Sequence, residues 1–224
     1  QVTVTKGYHL DASITPSQRT PKRKPAYEVV TDREERDDEG EAQAEMKVIE
    51  ASQAGVDTEA RWTKKGGKVV FGYKQHTVVD DNGLVIGVET TAANQHDSKS
   101  MLALLNKSGI EPNSRIHADK AYSSQKHREA LKERGLKNAI QNKATKNKQL
   151  TDRHLQRNRL ISRFRYVVER TFGSQVRWFN SKNLRYRGLA KAHAWHTLQA
   201  IAYNLKRLPK LFVQSLMRQE KCAC

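Results

Sequence analysis

The chain has 224 residues, room for one sizeable hydrophobic core or two small ones. Its formal net charge of +17 and isoelectric point of about 10.0 set it apart from a charge-balanced metabolic enzyme and point to a polyanionic partner. No apolar run approaches the roughly 18 residues of a membrane span and no signal-peptide pattern opens the chain, so neither a membrane nor secretion is indicated.

The charge is unevenly placed. Residues 31–60 hold eleven acids against three bases, whereas residues 143–224 hold nineteen bases against three acids. The basic surface therefore belongs to the C-terminal third, and the acidic piece is a separate feature. Both cysteines, Cys222 and Cys224, lie where they cannot staple a core, which suits a reducing compartment. Gln1 already stands in a strand-like run, the pattern expected of a fragment or of the C-terminal part of a longer protein.

In chain order, Val2 to Thr15 alternates apolar and polar residues and reads as one long strand or a strand pair. Asp11 lies on the face opposite Leu10, Ala12 and Ile14, and Pro16 ends the run. Residues 17–67 form a long polar insertion, with a basic start (RTPKRKP), an acidic run (TDREERDDEGEAQAE) and a short exit through Trp62. The acidic run reads as a solvated or disordered segment; a self-inhibitory mimic of nucleic acid is the sharper alternative. Strands are predicted at about 68–79 and 84–92, joined at Asp81-Asn82-Gly83, a strong short-range hairpin signal. Asn94, Gln95, His96 and Asp97 follow, with Asp97 or Ser98 as the cap of a helix over roughly 98–108. Ser114 to Tyr122 reads as a short strand carrying Asp119, then a helix from Ser123 to Arg134 closes at Gly135, and Leu136 to Gln141 can form another strand.

Thr151 to Asn180 is predicted as one large helix, with Ile161, Phe164, Val168, Phe172 and Phe179 along an apolar stripe. After a basic loop, a final amphipathic helix covers roughly 189–207, with Trp195, Leu198, Ala202 and Leu205 on one face, and Pro209 stops it. The order of elements makes a mixed α/β sheet flanked by helices. It divides into the first strands (1–16), the polar insertion (17–67), the rest of the domain begun by those strands (68–208) and a tail (209–224).

Three acids stand out by position. Glu169 is the only acid between Arg153 and Gln219, and it lies at the border of the apolar stripe with Arg165 one turn before it. Asp11 and Asp119 each follow a short apolar run and precede small or polar residues, in HLDAS and HADKA. Were their strands neighbours in the sheet, the two carboxylates would lie side by side. Three carboxylates that close repel one another unless a cation sits between them. Oxygen donors in that number suit Mg²⁺, with Mn²⁺ as a substitute. Two such ions would hold a phosphodiester for in-line displacement, and the basic surface would hold the nucleic acid.

The chain resembles bacterial insertion-sequence transposases of the DDE type, in the insertion-sequence-five-like branch with a ribonuclease-H-like catalytic domain. The resemblance runs from about Tyr8 to Leu208 through HLDASIT, GVDTEARWTKKGGKVVFGYKQHTVVD, NGLVIGVETTAANQHDS, HADKAYSS, RYVVERTFGS and LRYRGLAKAHAWH. It implies that Asp11, Asp119 and Glu169 are the catalytic, metal-binding positions, and that Arg165 is the family's arginine four residues before the glutamate. It further implies two Mg²⁺ ions, cleavage of transposon ends with transfer into target DNA, a homodimer, and a cytoplasmic place on the bacterial nucleoid. Two departures stand out: Ser162 replaces the family's tyrosine seven residues before the glutamate, and Val176 replaces its lysine seven residues after. The family's N-terminal helical region is also not contained in these residues.

Around the acids, Arg177, Lys182, Arg185, Arg187 and Lys191 are candidate phosphate contacts and Trp178 a candidate base-stacking residue. Asn94, His96 and Asp97 are supporting candidates, with a plain loop-to-helix cap as the alternative. His96, His117 and His127 match no compact zinc pattern. Two other functions compete with a working transposase: a catalytically impaired remnant that only binds DNA, to which Ser162 and Val176 point, and a basic RNA-binding structural protein without a metal site.

Overall fold

The alternation around Asp11 resolves into β1 (Gly7–Pro16), which takes a strand on either side. The computed structural model describes residues 7–21, 27–32, 45–50, 54–145 and 149–222. The expectations for Val2 to Lys6, for most of RTPKRKP and for residues 33–44 of the acidic run fall outside them. After β1 come β2 (Tyr27–Asp32), β3 (Glu45–Glu50), β4 (Arg61–Lys65), β5 (Lys68–Asp80), β6 (Val85–Ala92), α1 (Asp97–Lys107), β7 (Arg115–Ala118), α2 (Gln125–Glu133), β8 (Lys137–Ile140), α3 (Asp152–Ser162), α4 (Tyr166–Phe179) and α5 (Leu189–Cys222).

The main sheet runs β4-β5-β1-β7-β8, with β6 also paired to β5. β5 lies antiparallel to β1, whereas β7 is parallel to β1, and β8 to β7. One edge of β5 serves two partners in turn: residues 68–72 pair with β4 and residues 73–79 with β6. β2 and β3 pair only with each other among the described strands. This is the ribonuclease-H-like mixed sheet that the resemblance implies. The polar insertion thus contributes a strand, β4, to the main sheet. Its exposed residues Arg61, Lys64 and Lys65 hide the alternation that would have marked it.

Successive residues of a strand face opposite sides, and Val78 and Val79 accordingly enter different cores. Val78 joins Leu10, Met101, Leu104, Ile116 and Leu131, under α1 and α2. Val79 joins Val85, Val167, Val168, Ala200 and Tyr203, under α4 and α5. No described helix is long and apolar enough to cross a membrane.

Three expectations are corrected. The large helix is two, broken at residues 163–165, where Phe164 and Arg165 donate to carbonyls three residues back, those of Ile161 and Ser162. Phe164 leaves the apolar stripe and packs instead on the rings of His117 and His9, with centroids 4.7 and 6.2 Å away. The last helix runs through Pro209 to Cys222. The proline costs one backbone hydrogen bond, and because it faces solvent, water can take up the freed carbonyl. Finally, α5 buries Ala192, His196, Gln199, Ala200 and Tyr203, not Leu198 and Leu205.

That inward face is polar as well as apolar. His196 places its ring nitrogens 2.8 Å from Thr90 Oγ1 and 3.1 Å from Thr15 Oγ1, and His76 Nε2 lies 2.9 Å from Thr91 Oγ1. Burial pulls His76 down to about 4 and His196 to about 3, so both stay neutral in the fold where the unfolded chain, near 6.5, takes up protons. The two histidines therefore cost no stability above about pH 6.5 and draw it down as pH falls through that value toward 4 and 3. Urea midpoints followed from pH 7.5 to 4.5 are expected to drop, and His196→Asn to flatten part of that slope.

Candidate active site

Leu10 and Ala118 are register partners on the parallel neighbours β1 and β7. The next residue along each strand is an aspartate, so Asp11 and Asp119 emerge side by side. Asp119 directly follows β7 and caps the turn after it, accepting a hydrogen bond from Lys120 N at 2.6 Å. Asp11 accepts one from Ala12 N at 2.8 Å. Glu169 enters from the first turn of α4, which packs on β1 and β5.

All three converge on one guanidinium. Arg165, the residue before α4, places Nη2 3.5 Å from Asp11 Oδ2 and 3.7 Å from Glu169 Oε1, and Nη1 3.6 Å from Asp119 Oδ2. The sequence shows only the pair with Glu169, one helical turn away; the other two partners come from strands more than forty residues distant. Loss of water raises the Asp11 carboxyl above its ordinary range, with the Asp119 charge adding, while the Ala12 N–H, Arg165 and Lys65 oppose the rise.

The donor chemistry fits hard divalent cations, because each acid offers carboxylate oxygens and the trio already holds a positive charge among them. The spacing is set by the guanidinium: among the described residues no three acidic, histidine or cysteine side chains are close enough to grip a metal ion as they stand.

The other candidates separate into groups. His96, not Asp97 or Ser98, caps α1, accepting from Ser98 N. Asp97 pairs with Lys74 at 2.8 Å, and Lys74 also donates to the Gln95 carbonyl at 2.7 Å, so this segment ties β5 to the start of α1. Asn94 is exposed. Trp178 is engaged within the chain, stacked on Tyr203 at 6.0 Å with the Lys206 ammonium 4.6 Å from its ring centre. Arg177, Arg185, Arg187 and Lys191 are exposed. Lys182 reaches β1, donating to Ser13 Oγ at 2.8 Å and to the Ile14 carbonyl; burial, then the charge of Lys65, lowers its amine.

Sequence reasoning missed Lys65, whose ammonium donates to the Ala12 carbonyl at 3.5 Å, beside Asp11. The run KKGGK at the β4–β5 turn was the available signal. It also missed two acids at the far end of the insertion. Buried Asp57 accepts from Gly188 N at 3.2 Å and from the Tyr73 hydroxyl at 2.8 Å, and Glu59 accepts from Leu189 N at 2.9 Å. Both sit at the N-terminus of α5, where unpaired N–H groups and the helix dipole favour negative charge.

Residues 17–205 match the family model described as the transposase DDE domain. The chain belongs to this family of DDE transposases. It is 41% identical over 149 residues to the transposase for insertion sequence element IS1106 of Neisseria meningitidis serogroup B, covering 66% of this chain and 51% of that protein. It is 29% identical over 154 residues to the putative transposase for insertion sequence element IS402 of Burkholderia cepacia, covering 60% of this chain and 68% of that one. The chain thus spans about half the length of the first of these relatives. No solved structure matches. The matched span of the DDE domain holds Asp119 and Glu169, and Asp11 precedes it on β1.

In this member of the family Arg165 offsets the mutual repulsion of the three acids. Its side chain is 35% exposed, so Arg165→Ala is expected to lower the unfolding free energy at pH 7 by only about 1 kcal/mol. Adding Asp119→Asn should recover part of that loss in the same urea titration, a non-additivity that independent sites would not show.

Proposed function

We propose that Asp11, Asp119 and Glu169 are the catalytic acids of a DNA transposase, holding two Mg²⁺ ions that Mn²⁺ can replace, and that the reaction cleaves transposon ends and transfers them into target DNA. The observation that carries this reading is the convergence of acids from β1, the end of β7 and α4 on a single cation. An ordinary structural ion pair needs two partners; three carboxylates gathered on one side of a sheet in a chain of net charge +17 answer a need for concentrated negative charge.

When bound, the divalent ions would supply an activated hydroxyl and stabilise the leaving oxygen of a phosphodiester. The residues of the chain do the rest. Asp11 and Asp119 are fixed by strand register and by hydrogen bonds to Ala12 N and Lys120 N, so they meet a ligand with little rearrangement. Glu169, 59% exposed and on a helix of its own, is the acid with freedom to move. Lys65 and Lys182 flank β1 one to three residues beyond Asp11 and add positive charge beside the acids. Arg177, Arg185, Arg187 and Lys191 extend that charge outward for the phosphates of DNA ends and target.

A supercoiled plasmid incubated with the chain and Mg²⁺ is expected to be nicked. Asp119→Asn and Glu169→Gln should each cut the rate roughly a hundredfold or more, as loss of a charge-stabilising group in a reacting site does. Equal nicking by wild type and Glu169→Gln would reduce the chain to a DNA-binding remnant. Calorimetric titration with Mn²⁺ separates the RNA-binding alternative, since that protein would give no heat that disappears with Asp119→Asn.

A further inference from the structure

Each aspartate of the acidic trio has one oxygen committed to the backbone and the other to Arg165. Asp11 Oδ1 accepts from Ala12 N at 2.8 Å, and Asp119 Oδ1 from Lys120 N at 2.6 Å. The remaining oxygen of each, Oδ2, lies 3.5 and 3.6 Å respectively from the two terminal nitrogens of one guanidinium, which also reaches Glu169 Oε1 at 3.7 Å. The oxygens left for a metal ion are therefore the ones that Arg165 holds.

Two cations cannot share them. Mg²⁺ takes its oxygens at about 2.0–2.1 Å, so an ion on Asp11 Oδ2 would come within roughly 6 Å of Arg165 Nη2. The Asp11 side chain is only 19% exposed and that of Asp119 26%, so water screens little of the repulsion between a dication and a guanidinium there. The Arg165 side chain has somewhere to go, whereas its backbone does not. The side chain is 35% exposed. On one side of it Phe164 is seated on the rings of His117 and His9, and on the other the Arg165 carbonyl accepts from Glu169 N at 3.1 Å, closing the first turn of α4. The guanidinium can swing outward while the helix break and the two aspartates stay in place.

We propose that Arg165 is a resident stand-in for the divalent ions: it neutralises the three acids until a metal arrives, and the metal enters only as the guanidinium swings out, so the two compete for one set of oxygens. The inference rests on the reading of Asp11, Asp119 and Glu169 as metal ligands and fixes the direction of their coupling to Arg165. An arginine that merely held the acids in position would favour metal binding, and its loss would weaken that binding. Loss of a competitor strengthens it.

Calorimetric titration of the whole chain with Mn²⁺ at pH 7 distinguishes the two directions. Arg165→Gln and Arg165→Ala are expected to tighten Mn²⁺ binding at least roughly tenfold, as removal of one positive charge a few ångströms from a dication does. Arg163→Ala, which removes an exposed cation two residues away, should leave the constant within about twofold of wild type, since solvent and salt screen that charge. In the unaltered chain Mg²⁺ should speed phenylglyoxal labelling of Arg165, located by peptide mass, several-fold, because the guanidinium is driven into solvent; this readout needs no substitution. Unchanged or weaker Mn²⁺ binding in both Arg165 variants, equal tightening by Arg163→Ala, or labelling that Mg²⁺ slows or leaves unaltered would overturn the exchange and leave the acids as ligands. Heat that Asp119→Asn does not abolish would undo the ligand reading itself, and the exchange with it.

Discussion

Like charges crowded on one edge of a protein need a counter-charge, and here Arg165 provides it. Asp11, Asp119 and Glu169 come from a strand, the end of a neighbouring strand and a helix, and no two are close in sequence. Their meeting requires β1 and β7 to be parallel with Leu10 opposite Ala118, and α4 to begin where Arg165 can reach both strands. The break between α3 and α4 meets the second requirement. A continuous helix through residues 163–165 would keep Phe164 on the stripe, away from the rings of His9 and His117 on which it rests. Sheet order, helix break and carboxylate geometry are one arrangement.

How much of this can be read from the sequence depends on the range of each signal. The hairpin of β5 and β6 rests on a local cue, Asp81-Asn82-Gly83 between two β-rich runs, and it lies where that cue puts it. Asp11 and Asp119 share a context of apolar run, aspartate and small residue, which suffices to nominate them; their adjacency is a matter of register, which only the folded sheet shows. Arg165 reads as a one-turn partner of Glu169 because the sequence displays only that separation. Lys65 and Asp57 stayed hidden within a polar segment whose composition masks β4 and the contacts that follow from it.

The last helix shows the limit of periodicity. Leu198 and Leu205 fall on a clear apolar face, and choosing that face as the core is the natural reading. The sheet instead takes the face carrying His196, Gln199 and Tyr203, because Thr15 and Thr90 offer hydroxyls for the histidine and Thr171 Oγ1 lies 3.3 Å from the Tyr203 hydroxyl. Polar groups that hydrogen-bond one another escape the cost of an unpaired buried group, so such a face can enter a core. A hydrophobic pattern therefore does not by itself say which face of a helix the core will take.

The hydrogen bond from Asp57 N to the Arg19 carbonyl, 3.1 Å long, joins the two ends of the insertion where it leaves and rejoins the domain. Ring-closure entropy grows only slowly with the number of residues enclosed, so the length of the stretch between these two residues adds little to the cost of closing it. The bond between residues 19 and 57 thus fixes the chain on both sides of the stretch, close to the strand bearing Asp11.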